Sequence, residues 1–178
     1  MTSSKDDEVL DLVNEQDEVI GEVLKVKANQ DPSLWHREVA VLLFDTDNRL
    51  LLQQRSKKKI VQPGVWSVSC EGHVTKGMAI ENAAHMELKE ELGIDTRLLF
   101  IEKALLRAEN ETHFTNWFIG KYTGGEIVLE EEEVEQAAWF DKTEFRELIK
   151  SETACSKSLI EYGARFWNGE FSEFVNQL

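Results

Sequence analysis

The stretch that decides the fold is residues 72–94, which read GHVTKGMAIENAAHMELKEELGI. Residues 78–92 contain neither glycine nor proline, and Gly93 follows directly. Glycine is the residue that most often ends a helix, because it adopts the left-handed conformation without strain. The pattern therefore predicts a helix over 78–92 that ends at Gly93.

Three glutamates on this helix are spaced so that they share one face. Glu87, Glu90 and Glu91 stand at i, i+3 and i+4, within an arc of about 100°. This spacing is typical of an acidic stripe on a solvated surface. It is also typical of a divalent cation site, because Mg²⁺ in proteins is held by carboxylates together with substrate phosphates. The spacing alone leaves both interpretations open.

The residues around these glutamates resemble the Nudix box. Seven of its nine defined positions match at the family's spacings, and they are Gly72, Glu87, Leu88, Glu90, Glu91, Gly93 and Ile94. Two positions depart from it: Met78 replaces a glutamate, and Met86 replaces an arginine that orients a helix carboxylate in the family. The likeness extends over about residues 8–150.

The resemblance implies a Mg²⁺ (or Mn²⁺) site and hydrolysis of an organic diphosphate. The implied metal ligands are Glu87, Glu90, Glu91 and Glu133. The implied catalytic residues are Glu90, Glu91 and Glu133. A backbone carbonyl at Glu71 or Gly72 commonly completes such a site. Since Met86 cannot orient a carboxylate, weakened catalysis, or a ligand-binding module with a degenerate box, stays open as an alternative.

The remaining chain reads as strands, one central helix, further strands and then helices. Strands are predicted at 9–13, 19–26, 38–44, 49–55, 66–70, 97–108, 113–122, 126–129 and 137–140, and helices at 143–150 and 156–166. This order predicts an α/β (α+β) fold in which a mixed sheet lies between helices, with an N-terminal β-hairpin. At 178 residues the whole chain, 1–178, is expected to form a single Nudix domain, with the C-terminal helices in 143–178.

Several segments resemble the branch of Nudix proteins that contains the isopentenyl-diphosphate isomerases. They are Trp35-His36-Arg37 and the runs 39–44, 50–55 and 63–66, followed by Gly72-His73. Those isomerases have a catalytic cysteine directly before the Gly-His pair, and a metal site of three histidines and two glutamates. In this chain Glu71 stands at the cysteine position and Cys70 lies one residue earlier, which in an extended segment turns its side chain to the opposite face.

The isomerase metal site matches only in part. His36 and His73 match two of its histidines, Asn29 lies near the third, and Glu111 and His113 lie near the two glutamates. A hydrolase with isomerase-like ancestry is therefore preferred, and isopentenyl-diphosphate isomerisation is kept as the alternative.

Four residues are predicted to bind substrate: Arg55, Lys57, His36 and His73. Arg55 ends a strand and could clamp a phosphate in a bidentate manner, while Lys57 belongs to a lysine run that could attract one. The alternatives are a solvated loop for the lysines and structural packing for His36. His113 is interpreted as a half-exposed strand residue.

Composition limits the partners. The chain has 34 acidic and 20 basic residues, a net charge of −14, which disfavours nucleic acid and anionic membranes. No apolar run approaches the roughly 20 residues that span a bilayer, and the two cysteines are interpreted as reduced thiols of a cytoplasmic protein. The expected partner is a small-molecule diphosphate, and a homodimer is left open.

Overall fold

The structure is a computed structural model that describes residues 8–59 and 61–178. Its elements in chain order are strands β1 (Val9–Val13) and β2 (Val19–Leu24), helix α1 (Lys25–Ala28), strands β3 (His36–Phe44), β4 (Leu50–Arg55), β5 (Trp66–Ser67) and β6 (Cys70–His73), helix α2 (Ile80–Leu92), strands β7 (Leu98–Arg107), β8 (Thr112–Lys121) and β9 (Val134–Phe140), and helices α3 (Lys142–Leu148), α4 (Lys157–Trp167) and α5 (Ser172–Val175). A single 3₁₀ turn covers Glu152–Ala154.

The described strands form a two-stranded N-terminal hairpin, β1–β2, and one mixed seven-stranded sheet. The long path of that sheet has the order β5-β4-β3-β8-β7, with β6 paired to β3 and β9 to β4. The β3–β8 pair is parallel and the other pairs are antiparallel. The predicted α/β (α+β) fold is confirmed, including the N-terminal hairpin.

Side chains of β3 alternate between two hydrophobic cores. Leu42 and Phe44 pack in a core with residues of α3 and α4. Val41 and Leu43 pack on the other face, in a core with α2 residues such as Leu88. Because successive side chains of a strand point to opposite faces, the sheet separates a layer containing α4 from a layer containing α2.

Helix α2 begins two residues later than predicted and ends as predicted. The amide of Met78 donates to the carbonyl of Thr75 in a turn, and Ala79 is extended (φ −68°, ψ 140°), so the helix starts at Ile80. Gly93 forms the C-cap with φ 70°. A residue other than glycine would be strained in this backbone conformation.

Several other boundaries differ from the sequence pattern: the strand predicted at 66–70 is divided between β5 and β6, and the one predicted at 137–140 begins at Val134. The strand predicted at 126–129 does not form, because the amide of Val128 donates to the carbonyl of Leu92, and Glu130 donates to Glu91. This segment thus closes on the end of α2 instead of joining the sheet. The strand predicted at 19–26 ends at Leu24, where the short helix α1 begins.

The described residues include no helix that is long and apolar enough to cross a membrane.

Candidate active site

Pairing of β3 with β6 and β8 brings distant polar residues to one end of the sheet. His36 is opposite His113 in the parallel β3–β8 pair, and Glu38 is opposite His73 in the antiparallel β3–β6 pair. Paired residues on neighbouring strands project to the same face. Their side chains therefore meet on the face that carries α4.

The Glu38 carboxylate lies at the middle of this group. Its Oε1 is 3.2 Å from Nε2 of His73 and 3.8 Å from Nε2 of His36, and its Oε2 is 3.3 Å from Nδ1 of His113. A ligand atom of Glu111 lies within 4.8 Å of those of Glu38 and His113. These five residues are called the His-Glu centre below. The interpretation of His113 as half-exposed is wrong, since only 4% of it is exposed.

Burial and charge set the protonation of the His-Glu centre. Burial lowers the pKa of His73 to about 3. Burial acts to raise the pKa of Glu38, but the surrounding imidazoles outweigh it and hold that pKa well below its usual range. For His36, burial acts to lower the pKa and Glu38 outweighs it, so the pKa is raised. Burial and the charge of Glu38 raise the pKa of Glu111.

Contacts outside the centre orient its imidazoles. His36 Nδ1 lies 3.3 Å from the carbonyl of Leu34, and its fully buried Nε2 has no hydrogen-bond partner among the described residues. His73 Nε2 lies 2.9 Å from Oδ1 of Asn29, and the Thr115 hydroxyl lies 3.1 Å from Nδ1 of His113. In His36 the contact at Nδ1 leaves Nε2 facing Glu38, whereas in His73 and His113 the contacted nitrogen is the one that also faces Glu38.

Glu71 lies on the same face, two residue pairs further along β3 and β6. Its carboxylate accepts hydrogen bonds from the hydroxyls of Ser67 (2.5 Å) and Ser158 (2.6 Å), the latter on α4. Burial raises the pKa of Glu71. The residue at the isomerases' cysteine position is thus a half-buried carboxyl group held by two serines.

Cys70 lies on the opposite face, as its register predicts. It is fully buried in the core that contains α2. Burial and the nearby charges of Glu91 and Glu87 raise its pKa well above the usual value. Its thiol is therefore separated by the sheet from the His-Glu centre.

The three α2 glutamates differ in exposure. Glu87 and Glu91 are buried, at 8% and 5% exposure, while Glu90 is exposed. A Cβ atom added at Gly72 would lie 2.2 Å from Cδ of Glu87, so the missing side chain at position 72 makes room for this carboxylate. Nε2 of Gln53 donates to Glu91 at 3.0 Å.

Buried carboxylate oxygens of this kind fit Mg²⁺, which is the ion that the Nudix resemblance implies. However, Glu87, Glu90 and Glu91 do not form a group of three described residues whose ligand atoms all lie within 4.8 Å of one another. Within 8–59 and 61–178, the two groups whose ligand atoms all lie within 4.8 Å of one another both contain Glu38.

The other predicted residues are Arg55, which ends β4, Lys57 in the loop after it, and Glu133 in the turn before β9. Lys59 forms an ion pair with Glu133, and Lys57 forms an exposed one with Glu135 at 3.3 Å. The Arg55 guanidinium donates two hydrogen bonds to the carbonyl of Val61. Its positive charge also acts to lower the pKa values of Glu71 and Glu111.

Sequence reasoning missed Glu38. The available signal was the His36-Arg37-Glu38 alternation at the start of a strand, which places His36 and Glu38 on one face. That alternation does not reveal which residues of other strands lie opposite.

Comparison with known proteins identifies the family. The family model of the NUDIX domain matches residues 34–162. The chain therefore belongs to the Nudix family.

Similar curated proteins carry isomerase names. The chain is 36% identical over 150 residues to isopentenyl-diphosphate Delta-isomerase 2 of Photorhabdus laumondii, covering 82% of this chain and 84% of that protein. It is 35% identical over 153 residues to isopentenyl-diphosphate Delta-isomerase of Streptomyces coelicolor, covering 82% and 77%. Among solved structures, DR0079 of Deinococcus radiodurans superposes with a TM-score of 0.76 at 22% identity, over 90% of this chain and 99% of that one. That last likeness establishes the fold alone.

Proposed function

We propose that this Nudix protein is a Mg²⁺-dependent hydrolase that cleaves an organic diphosphate. The observation that carries the choice of hydrolysis over isomerisation is the exchange at residues 70 and 71. A carboxyl group, Glu71, occupies the position next to the His-Glu centre, and the thiol of Cys70 is buried on the other face. A chemistry that needs a thiol beside the histidines lacks its reactive group in this arrangement.

The proposed metal ligands are Glu87, Glu90, Glu91 and Glu133. Support comes from the burial of Glu87 and Glu91 and from the space that Gly72 leaves for Glu87. A bound Mg²⁺ would neutralise charge on the diphosphate and activate a water molecule. Glu90, Glu91 and Glu133 are proposed as the catalytic carboxylates, with Glu133 exchanging its Lys59 partner for the ion.

The proposed substrate-binding residues are Arg55, Lys57, His36 and His73, of which the two histidines belong to the His-Glu centre. The Arg55 guanidinium is held by the carbonyl of Val61, and it could bind a phosphate in a bidentate manner. Lys57 and the imidazoles of His36 and His73 would add hydrogen-bond donors. We also propose that the protein acts in the cytoplasm on small molecules.

Isopentenyl-diphosphate isomerisation is the second candidate. It is favoured by the isomerase names of the relatives and by the convergence of three histidines and two glutamates on one point. It would require Glu71 to replace the thiol in proton transfer.

The deciding experiment is a panel of nucleoside and prenyl diphosphates assayed with Mg²⁺ and with Mn²⁺. Hydrolysis predicts release of phosphate or of a monophosphate, and isomerisation predicts a rearranged, uncleaved diphosphate. Glu91→Gln and Glu90→Gln should lower the hydrolysis rate by about 100-fold or more if these carboxylates act on the ion. Glu81→Gln, which alters an exposed glutamate in the first turn of α2, is the matched control.

Two outcomes would contradict the proposal. Rates unchanged in both the Glu90 and Glu91 variants would remove the metal assignment. Tight diphosphate binding without turnover across the panel would favour a ligand-binding module, consistent with Met78 and Met86 in the box.

A further inference from the structure

We propose that Gln53 is a positioning residue of the Mg²⁺ site on α2, where its side chain connects Glu91 to a water molecule carried by the bound ion. Gln53 lies in strand β4, 38 positions before Glu91, so the spacing of residues on the helix does not reveal it. This inference rests on the proposed function, since it takes Glu91 as a ligand of the ion.

Gln53 is a polar residue in a buried and mostly apolar environment. Only 2% of it is exposed. Strand β4 directs Leu51 into the core that contains α2 residues, and residues two apart on a strand share a face, so Gln53 is directed toward α2 as well. Its strand is paired on both sides, with Ser67 of β5 and Ala137 of β9 opposite Gln53. The sheet therefore holds this amide in a fixed place beside α2.

The amide nitrogen of Gln53 orients the carboxylate of Glu91. Nε2 donates to Oε2 of Glu91 at 3.0 Å, and Glu91 is itself only 5% exposed. A hydrogen bond to a charged acceptor is stronger than one between neutral groups, and it fixes the orientation of a metal-binding carboxylate. The side chain of Met86, on the same helix as Glu91, has no hydrogen-bond donor. Gln53 therefore supplies from the sheet an orienting contact that Met86 cannot supply.

The amide oxygen of Gln53 is left with an unmet hydrogen bond. An ionised carboxylate has no donor, so the amide nitrogen faces Glu91 and the oxygen points elsewhere. That Oε1 atom is buried, and it has no hydrogen-bond partner among residues 8–59 and 61–178. Buried polar atoms without a partner are rare, because they lose the hydrogen bonds that water would give them. We therefore expect a donor at this point in the functional protein.

A water molecule on the ion is the donor that fits this position. Mg²⁺ in proteins keeps several of its water molecules, and the charge of the ion makes each of them a strong hydrogen-bond donor. With Glu91 as a ligand, such a water molecule lies next to that carboxylate. Gln53 then contacts the ligand through its nitrogen and the hydrated ion through its oxygen. Loss of a partner that orients a metal ligand typically weakens metal binding by about 10–100-fold.

The test measures Mg²⁺ binding to the full chain by calorimetric titration without substrate. Gln53→Met replaces the amide by an apolar group of similar length. Gln54→Met is the matched control, because the neighbouring amide contacts Gly64 and Gln136 instead. We expect Gln53→Met to lower the Mg²⁺ affinity about 10-fold or more, and Gln54→Met to change it by less than about twofold. Circular dichroism checks that each variant folds, and Gln53→Leu replaces Gln53→Met if that variant does not.

Two further measurements separate positioning from a merely structural role. The binding event to follow is the one that Glu91→Gln weakens, and Gln53→Met should cause a smaller further loss in the Glu91→Gln background than in the wild type. At saturating Mg²⁺, Gln53→Met should lower kcat for diphosphate hydrolysis and change KM by less than about twofold, because its contacts are to the ion and its ligand. A residue that only stabilises the fold would change neither the Mg²⁺ affinity nor kcat while the variant is folded.

Three results would overturn the proposal, and they distinguish it from the proposed function. If Glu91→Gln lowers the Mg²⁺ affinity and Gln53→Met does not, Gln53 has no positioning role although the metal assignment stands. An equal loss from Gln53→Met in the wild type and in the Glu91→Gln background would show that Gln53 does not act through this carboxylate. Mg²⁺ binding that Glu91→Gln leaves unchanged, or no binding to the folded wild-type chain, would contradict both the proposal and the metal assignment.

Discussion

Replacing Gly72 by alanine tests whether the space that this glycine leaves in β6 allows Glu87 to occupy a metal-binding position. The added Cβ would lie 2.2 Å from Cδ, 2.5 Å from Oε2 and 2.6 Å from Cγ of Glu87. Ordinary van der Waals contact begins near 3.4 Å, so the carboxyl carbon must move by at least about 1.2 Å. Glu87 is 92% buried, and this limits the rotamers into which it can move.

The expected effect falls on metal affinity more than on stability. Overpacking costs about 1–3 kcal/mol, and replacing a strand glycine by alanine returns about 0.5–1 kcal/mol, so the net loss of unfolding free energy should be about 1–2 kcal/mol. Metal–ligand distances tolerate only about ±0.2 Å, so a displaced Glu87 no longer coordinates well. Mg²⁺ affinity should fall at least about 10-fold, equivalent to about 1.4 kcal/mol.

Calorimetric titration with Mg²⁺ measures the affinity, and urea unfolding measures the stability. Gly21→Ala is the control, because its added Cβ would meet only Leu12, at 3.7 Å. Gly72→Ala is also combined with Glu87→Ala. If Gly72 acts through Glu87, the alanine at 72 should cause no further loss of affinity in that background. Wild-type affinity in the single variant, or an equal loss in both backgrounds, would refute the reasoning.

Three further predictions concern stability, measured by urea unfolding. Glu102→Gln should cost about 1 kcal/mol near neutral pH. The hydrogen bonds from Arg165 lower the pKa of Glu102 in the folded protein. The stability that Glu102 contributes is therefore present above its unfolded-state pKa and is lost as the pH falls through its folded-state pKa. An equal cost of the substitution at pH 7 and below pH 3 would contradict this prediction. Gly163→Ala should lower the free energy of unfolding by about 2 kcal/mol or more, because the added Cβ would lie 2.5 Å from the buried ring of Phe145. An unchanged free energy of unfolding would show that the ring can move. Asp141→Ala should cost about 1 kcal/mol by removing the cap of α3, whereas Asp141→Asn should retain most of it.

The elements that the sequence predicted well are those with strong local signals. Helix α2 has an uninterrupted run of helix-forming residues and a glycine stop, and its predicted end at Gly93 is correct. Its start was misplaced because the turn at Thr75 and Met78 depends on a backbone hydrogen bond that no residue type announces. The strand expected at 126–129 failed because its amides bond to the end of α2, a contact between segments far apart in sequence.

The candidate site shows the same division. The α2 glutamates were found from spacing, since one helix places them together, and Gly72 was found from its position in the Nudix box. The His-Glu centre was found only in part, because three strands supply it. His36 and His113 are 77 positions apart and become neighbours through the parallel pairing of β3 and β8, a register that side-chain pattern alone does not specify.

The sequence by itself determined the Nudix family resemblance, the position of the α2 glutamates and the face that Cys70 would take. The resemblance depends on residue types at the family's spacings, and the other two depend on helical or strand periodicity, which acts over a few residues. Only the tertiary structure decided that Glu38 joins the histidines, that Glu71 is held by two serines, and that Glu133 pairs with Lys59. Those contacts join residues that are distant along the chain, so they exist only once the sheet is paired and the helices have packed on its two faces.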